Sequence, residues 1–210
     1  MKQDSSPTTD RHANAAYQDY GFPSNAPSHM HGHFLPPLFN LCDSLLKPGA
    51  RVLEVGCGNG FTAGQFTALG CEVVGIDLSE QGITQARRAH PGARFEQLLA
   101  DSRILENLGC APFDLVVSTE VVEHLYAPRA YMAGCFQALR PGGRFVCSTP
   151  YHGYLKNLSL AVLSKWDDHA NPLWDSGHIK LWSRRTLSEL LMEAGFVHLR
   201  FRGAGRLPFL

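Results

Sequence analysis

The segment Val52-Leu53-Glu54-Val55-Gly56-Cys57-Gly58-Asn59-Gly60 constrains the fold more than any other part of the chain. A short apolar run ends in three glycines at alternate positions, and a helical stretch comes after it that closes near Gly70. Such a turn lets another backbone or a ligand approach without interference from a Cβ. A second apolar run, Cys71-Glu72-Val73-Val74-Gly75-Ile76-Asp77, comes next, so the unit reads strand, helix, strand. Two strands joined through a helix lie parallel. The alternation continues: Ser79 caps a helix running to about His90, Ala93–Leu98 forms a third strand and Phe113–Ser118 a fourth. A helix from about Pro128 to Leu139, stopped by Arg140-Pro141-Gly142-Gly143, leads to a fifth strand over Gly143–Ser148. The expected fold is α/β: a Rossmann-like, doubly wound, mostly parallel sheet with helices on both faces.

The flanks read differently. Residues 1–33 are polar, hold Pro7, Pro23 and Pro27 and lack periodicity, which predicts an arm, mobile to about residue 17, ahead of a domain over 34–210. Pro36 and Pro37 open an amphipathic helix through Leu46. After Pro150 the alternation breaks, and residues 151–182 hold all three tryptophans, Trp166, Trp174 and Trp182. This reads as a helical cap insertion after strand five, over the crevice where such sheets bind ligands. A further helix starts at Ser183 or at Thr186, where Thr186-Leu187-Ser188-Glu189 fits a capping box, and ends at Gly195. Phe196–Phe201 reads as a sixth strand. The last five residues, with Pro208, are too short for another inner strand, so strand five is expected to keep one open edge and to invite a homodimer, aggregation, or inward pairing by strand six.

Composition sets the partner classes. Hydrophobic residues make up 44% and charged residues 18%, enough for a core and against wholesale disorder. Nineteen Lys and Arg balance nineteen Asp and Glu, which argues against nucleic acid as a partner. No apolar run approaches the roughly 18 residues of a membrane span, and the first residues lack a signal peptide's apolar core. Cys42, Cys57, Cys71, Cys110, Cys135 and Cys147 form no CxxC pair and read as buried free thiols of a cytoplasmic protein.

Asp77 ends the second strand 21 positions after Gly56, where a carboxylate reaches both hydroxyls of a ribose. Turn and carboxylate together describe a nucleoside crevice. A nicotinamide fingerprint counted from Gly56 fails at Phe61, and counted from Gly58 it is a late match ending at Ala63.

The E-x-G-x-G-x-G turn, Asp77, and Leu139-Arg140-Pro141-Gly142-Gly143 before strand five resemble class I S-adenosylmethionine-dependent methyltransferases over roughly residues 36–200. Ser118-Thr119-Glu120-Val121-Val122-Glu123-His124 and Asp175-Ser176-Gly177-His178 are similar to the ubiquinone-biosynthesis O-methyltransferase group. The resemblance implies that Gly56, Cys57, Gly58 and Gly60 line the methionine moiety, with Glu54 belonging to the same cofactor-binding turn. It further implies that Asp77 holds the ribose, Leu78 flanks the adenine, Asp101 and Ser102 reach its edge, and Ser118 and Thr119 lie beside the sulfonium. The chain departs from the quinone-pathway pattern in lacking an arginine within residues 30–50 and in carrying Thr119 where that group has methionine.

The activity implied by the resemblance is transfer of a methyl group from S-adenosylmethionine to a small-molecule acceptor, at oxygen. Nitrogen or carbon transfer, and a non-catalytic cofactor-binding sensor, are the alternatives on the same scaffold. Glu120, Glu123 and His124 share a face at helical spacing and read either as a hard-cation site, with Mg2+ as the ion, or as a strand-to-helix cap. His178, His152 and Asp175, beside Tyr151, are the candidates for an acid–base role, and His178 could instead complete the cluster of Glu120, Glu123 and His124. The tryptophans with Tyr154 form either an acceptor pocket or a self-packed cap. His29-Met30-His31-Gly32-His33 reads as an arm segment folding over the cofactor, or as a metal-ligand strip.

Overall fold

The computed structural model describes residues 21–28, 30–174 and 177–205. Residues 1–20, which include the stretch of the arm expected to be mobile, and the last five residues lie outside these. Five parallel strands form one sheet in the order β3-β2-β1-β4-β5. They are β1 (Arg51–Val55), β2 (Glu72–Asp77), β3 (Arg94–Gln97), β4 (Phe113–Thr119) and β5 (Leu139–Ser148). The helices are α1 (His31–Cys42), α2 (Phe61–Ala68), α3 (Glu80–Ala89), α4 (Ile104–Leu108), α5 (Pro128–Gln137), α6 (Tyr154–Val162), α7 (Trp166–His169) and α8 (Arg184–Glu193). The strand order reverses between β1 and β4, and that switch point opens a crevice beyond the carboxyl ends of the strands.

The period of two within each strand sorts side chains onto two cores. Leu53 and Val55 of β1, Ile76 of β2 and Val116 of β4 pack with α4, α5 and α8. Val52, Val73, Leu115 and Val117 pack on the opposite face with α1, α2 and α3. Both faces are covered, which is why the strands read as nearly unbroken apolar runs.

Several boundaries differ from expectation for physical reasons. α1 starts five residues before Pro36 and carries both prolines inside it. Burial of Phe34 and Leu38 outweighs the two lost backbone donors. Arg140-Pro141-Gly142-Gly143 does not separate helix from strand. It is an irregularity within β5, whose pairing with β4 jumps from Phe113↔Leu139 to Leu115↔Arg144. The capping box of α8 is Ser183 with Thr186, not Thr186 with Glu189.

Phe196–Phe201 makes no strand. Phe196 stacks on Phe145 at 5.1 Å and meets Phe136 edge-on, and His198 at φ 56° breaks the extended run. Among the described residues β5 therefore pairs with β4 alone, and inward pairing by a sixth strand is not seen. No helix of the described residues is long and apolar enough to cross a membrane. The described cysteines are free, four of them buried.

Candidate active site

The glycine turn closes over the carboxyl end of β1, with Gly56, Gly58 and Gly60 all at positive φ. At all three a Cβ would meet the protein's own packing, at Gly58 the Phe22 ring. A Cβ at Gly56 would drive into Val121, and one at Gly60 would stand 2.7 Å from the Cβ of Ala86. Glu54 points to the face that carries α2, where its carboxylate accepts the Ala63 N–H and a hydrogen bond from Thr62. It serves as the N-cap that Gly60 cannot supply. At 2% exposure, with Oε2 unpartnered and Asp77 nearby, its pKa is pushed up to about 8, burial being the main cause. Glu54 thus holds the turn from beneath. Cys57 turns its thiol into the core, and burial raises the thiol pKa.

Asp77 ends β2 beside the turn. Its Oδ2 accepts the Gly58 N–H at 2.8 Å and its Oδ1 accepts the Ser79 N–H at 2.8 Å. The carboxylate is thereby locked against both banks of the crevice, and a ribose would share it with these two amides. Leu78 comes next, half-buried, its carbonyl accepting from Gln97 Nε2. Asp101 is half-buried and binds the Arg103 N–H, while Ser102 is exposed. Ser118 is buried, its hydroxyl donating to the Val55 carbonyl at 2.8 Å, so it ties β4 to β1. Thr119 ends β4, half-buried.

Beyond β4 the chain is strained: Glu120 sits at φ 54°. Its carboxylate accepts from the Ser148 hydroxyl at 2.6 Å, which draws it toward β5. Glu123 and His124 fall on a short 3₁₀ turn, Val122–His124, not on an α-helix. Glu123 is buried, with Oε2 accepting from Thr149 and Oε1 without a hydrogen-bond partner. Burial, with the Glu120 carboxylate adding to it, pushes the Glu123 pKa up to about 8. The His124 ring lies 5.0 Å from that of His178. Ligand atoms of Glu123, His124 and His178 gather within 4.8 Å of one another. The cluster that forms therefore takes His178, from the cap, where the spacing put Glu120. Backbone N–H groups of Ile179 and Lys180 donate to the Glu123 carbonyl, which pins that part of the cap over the site.

The other acid–base candidates separate. His178 is lowered to about 4 by burial and by the imidazoles of His124, His169 and His152. His152 is buried, its Nε2 3.4 Å from that of His169 and its Nδ1 3.3 Å from Asn157 Oδ1. His169 carried no signal in the sequence beyond being a histidine in a polar loop. Asp175 and His29 lie outside the described residues. Tyr151 bridges to Trp182 and lies under Arg184. The aromatic residues of the cap do not converge: Trp182 is in the main core, Trp166 stacks near His152, Trp174 lies against His124 and His178, and Tyr154 is exposed. His31 packs edge-on against Phe61 with its Nδ1 on Ser28.

The sequence profile of the methyltransferase domain matches residues 26–200. The chain belongs to that family. A ubiquinone biosynthesis O-methyltransferase of Cereibacter sphaeroides is 35% identical over 152 residues, covering 70% of this chain and 60% of the relative. This chain thus spans less than two thirds of the length of the curated relatives it matches. The solved structure of a SAM-dependent methyltransferase from Archaeoglobus fulgidus superposes with a TM-score of 0.58 at 20% identity, over 78% of this chain and 68% of that one. The YcgJ protein of Bacillus subtilis gives 0.60 at 21% identity, over 76% and 68%. At those identities the solved structures speak for the fold. S-adenosylmethionine is the cofactor that family membership implies, and the residues present fit it: a glycine turn at the switch point, with an anchored carboxylate at the end of the neighbouring strand.

Proposed function

We propose that this protein transfers the methyl group of S-adenosylmethionine to an oxygen of a small-molecule acceptor related to the quinone-pathway compounds for which its relatives are named. The observation that supports this most is the position of Asp77, clamped between the Gly58 and Ser79 amides at the mouth of the crevice. In this reading Asp77 orients the ribose, the backbone of Gly56 to Gly60 accommodates the methionine moiety, and the sulfonium faces Thr119. Methyl transfer is an in-line displacement, so alignment supplies much of the rate.

The acceptor proton goes to Glu123 in this scheme, not to His178. A useful base titrates near neutrality; Glu123 at about 8 meets that condition and His178 at about 4 does not. Asp77→Ala should weaken S-adenosylhomocysteine binding by about tenfold or more, as loss of charge-assisted bonds does. Unchanged affinity by calorimetry would remove the cofactor placement. Binding without turnover of any phenolic acceptor would favour the sensor reading, and methylation at nitrogen or carbon would move the acceptor atom.

A divalent cation is a second reading, favoured by the orphaned Oε1 of Glu123. Glu123, His124 and His178 would hold the ion, with the Nδ1 of His124 donating to the Gly177 carbonyl and aiming Nε2 inward. Two imidazoles and one carboxylate suit a cation such as zinc or manganese better than the Mg2+ expected from two carboxylates and one imidazole. When bound, the ion would acidify the acceptor oxygen. Self-association along the outer edge of β5 completes the proposal, and a monomer at high concentration by sedimentation would exclude it.

A further inference from the structure

The segment before α1 is fastened to the glycine turn by contacts that cofactor binding does not require. Asn59, between Gly58 and Gly60, is 9% exposed. Its Nδ2 donates to the Ser24 carbonyl at 2.8 Å and to the Ala26 carbonyl at 3.1 Å. Its Oδ1 accepts the Phe61 N–H at 3.3 Å. Both amide protons therefore serve a segment 33 and 35 residues earlier, while the oxygen serves the turn.

Phe22 adds an apolar contact. Its ring covers Gly58 so closely that a Cβ there would stand 2.7 Å from Cε1, and it lies 3.0 Å from the place of a Cβ on Gly82. The Phe22 N–H donates to Gln81 Oε1 at 3.1 Å. Farther along, His31 meets Phe61 edge-on at 4.7 Å. The segment thus crosses from the glycine turn, at Asn59 and Phe61, to the first turn of α3, at Gln81 and Gly82. Asp77 sits between those two banks, bonded to Gly58 on one and Ser79 on the other.

We infer that Asn59 is a positioning residue that fastens residues 22–26 as a strap across the nucleoside crevice, with Phe22 as its apolar contact, so that the strap retains the bound cofactor product and must lift for it to leave. The inference rests on the placement of the cofactor at Asp77. The amide is the necessary group. An aspartate of the same shape keeps an oxygen for the Phe61 N–H but loses both donations and sets a negative charge against two carbonyl oxygens. A direct role in holding cofactor is not required of Asn59, because its polar atoms are committed to the chain itself.

Stopped-flow dissociation of S-adenosylhomocysteine from the full chain tests this, with Asn59→Asp, Phe22→Ala, their combination and Asp77→Ala. Loss of two hydrogen bonds corresponds to dissociation about tenfold faster in Asn59→Asp. Phe22→Ala should also accelerate release, and the double variant should add little beyond the larger single effect, since both act on one strap. Deuterium uptake across residues 21–28 should be slowed by S-adenosylhomocysteine in the unaltered protein and no longer slowed in Asn59→Asp. If Asn59→Asp fails to fold, Phe22→Ala, outside the turn, carries the same dissociation measurement. Unaltered dissociation in both single variants would overturn the strap. So would faster association with unaltered dissociation, because the segment would then be a plug that excludes cofactor. Asp77→Ala separates the two failures. Weakened binding there beside unaltered kinetics in Asn59→Asp removes the strap alone, whereas unaltered binding there removes the cofactor placement and the strap with it.

Discussion

The glycine turn and the cap are both loops at the carboxyl ends of the strands, yet they are built in opposite ways. Around the turn every side chain is committed. Val121 fills the space above Gly56, Ala86 the space above Gly60, and Glu54 braces the helix from below. In the cap, α6 carries Tyr154, Leu155, Leu158 and Val162 into solvent and has no buried residue. The cap is held to the rest of the molecule by Ile179 and Lys180 on the Glu123 carbonyl and by Trp182 in the main core, while the Tyr151–Trp182 bridge and the His152–His169 pair join the cap to itself. Close packing transmits the loss of one contact across the whole turn, whereas α6 loses little when one of its apolar side chains changes. Rigidity is thus concentrated at the crevice beside Asp77, and the cap presents a surface that other groups can cover.

Substitutions measure how far this contrast holds. The largest effect is expected at Gly60→Val, where a positive φ and a Cβ pressed on Ala86 act together. The cost is on the order of 3 kcal/mol, seen as a large fall in melting temperature, and a small shift would show the turn to be softer than its packing implies.

Beside the cap, His178→Ala should lower turnover by more than the roughly 10–100-fold that loss of an outer-shell partner costs if Glu123, His124 and His178 hold a cation, with little change in melting temperature. Chelator treatment should reproduce that loss and added zinc or manganese reverse it. Chelator-insensitive turnover would return Glu123 to the role of base alone.

Beneath the turn, Glu54 links stability to pH. Its folded pKa of about 8 lies above the ordinary carboxylate value of 4.5, so the folded state binds the proton more tightly. That contribution is complete below about pH 4.5 and is lost as pH rises toward 8, on the order of 1 kcal/mol per pH unit. Glu54→Gln should flatten this slope and raise the melting temperature at pH 8 relative to the unaltered protein. An unchanged slope would assign the titration elsewhere.

The smallest effect belongs to the cap surface. Leu158→Ser or Val162→Ser on the exposed face of α6 should change stability by less than about 0.5 kcal/mol. A drop of several degrees in melting temperature would mean that this face is covered in solution, and the contrast with the turn would narrow.

Local chemistry was enough to make the scaffold legible in the sequence. The strand–glycine–helix–strand unit, the N-cap at Ser79 and the apolar runs of β1, β2 and β4 depend on residues near one another in the chain, and the structure shows them within a residue or two. Asp77 at the end of β2 was legible for the same reason. Tertiary packing settled the rest. Pro36 and Pro37 lie inside a helix because Phe34 and Leu38 find a core, and Phe196 leaves the sheet because Phe145 and Phe136 offer it an aromatic stack. Spacing suggested Glu120 as a partner for Glu123 and His124, but Ser148 on β5 draws Glu120 aside and the cap brings His178 in its place. Asn59 stands between two glycines of the turn without any local signal of a role, and its purpose emerges only where Ser24 and Ala26 cross it. Such contacts join residues tens of positions apart, and no local periodicity encodes which of them will meet.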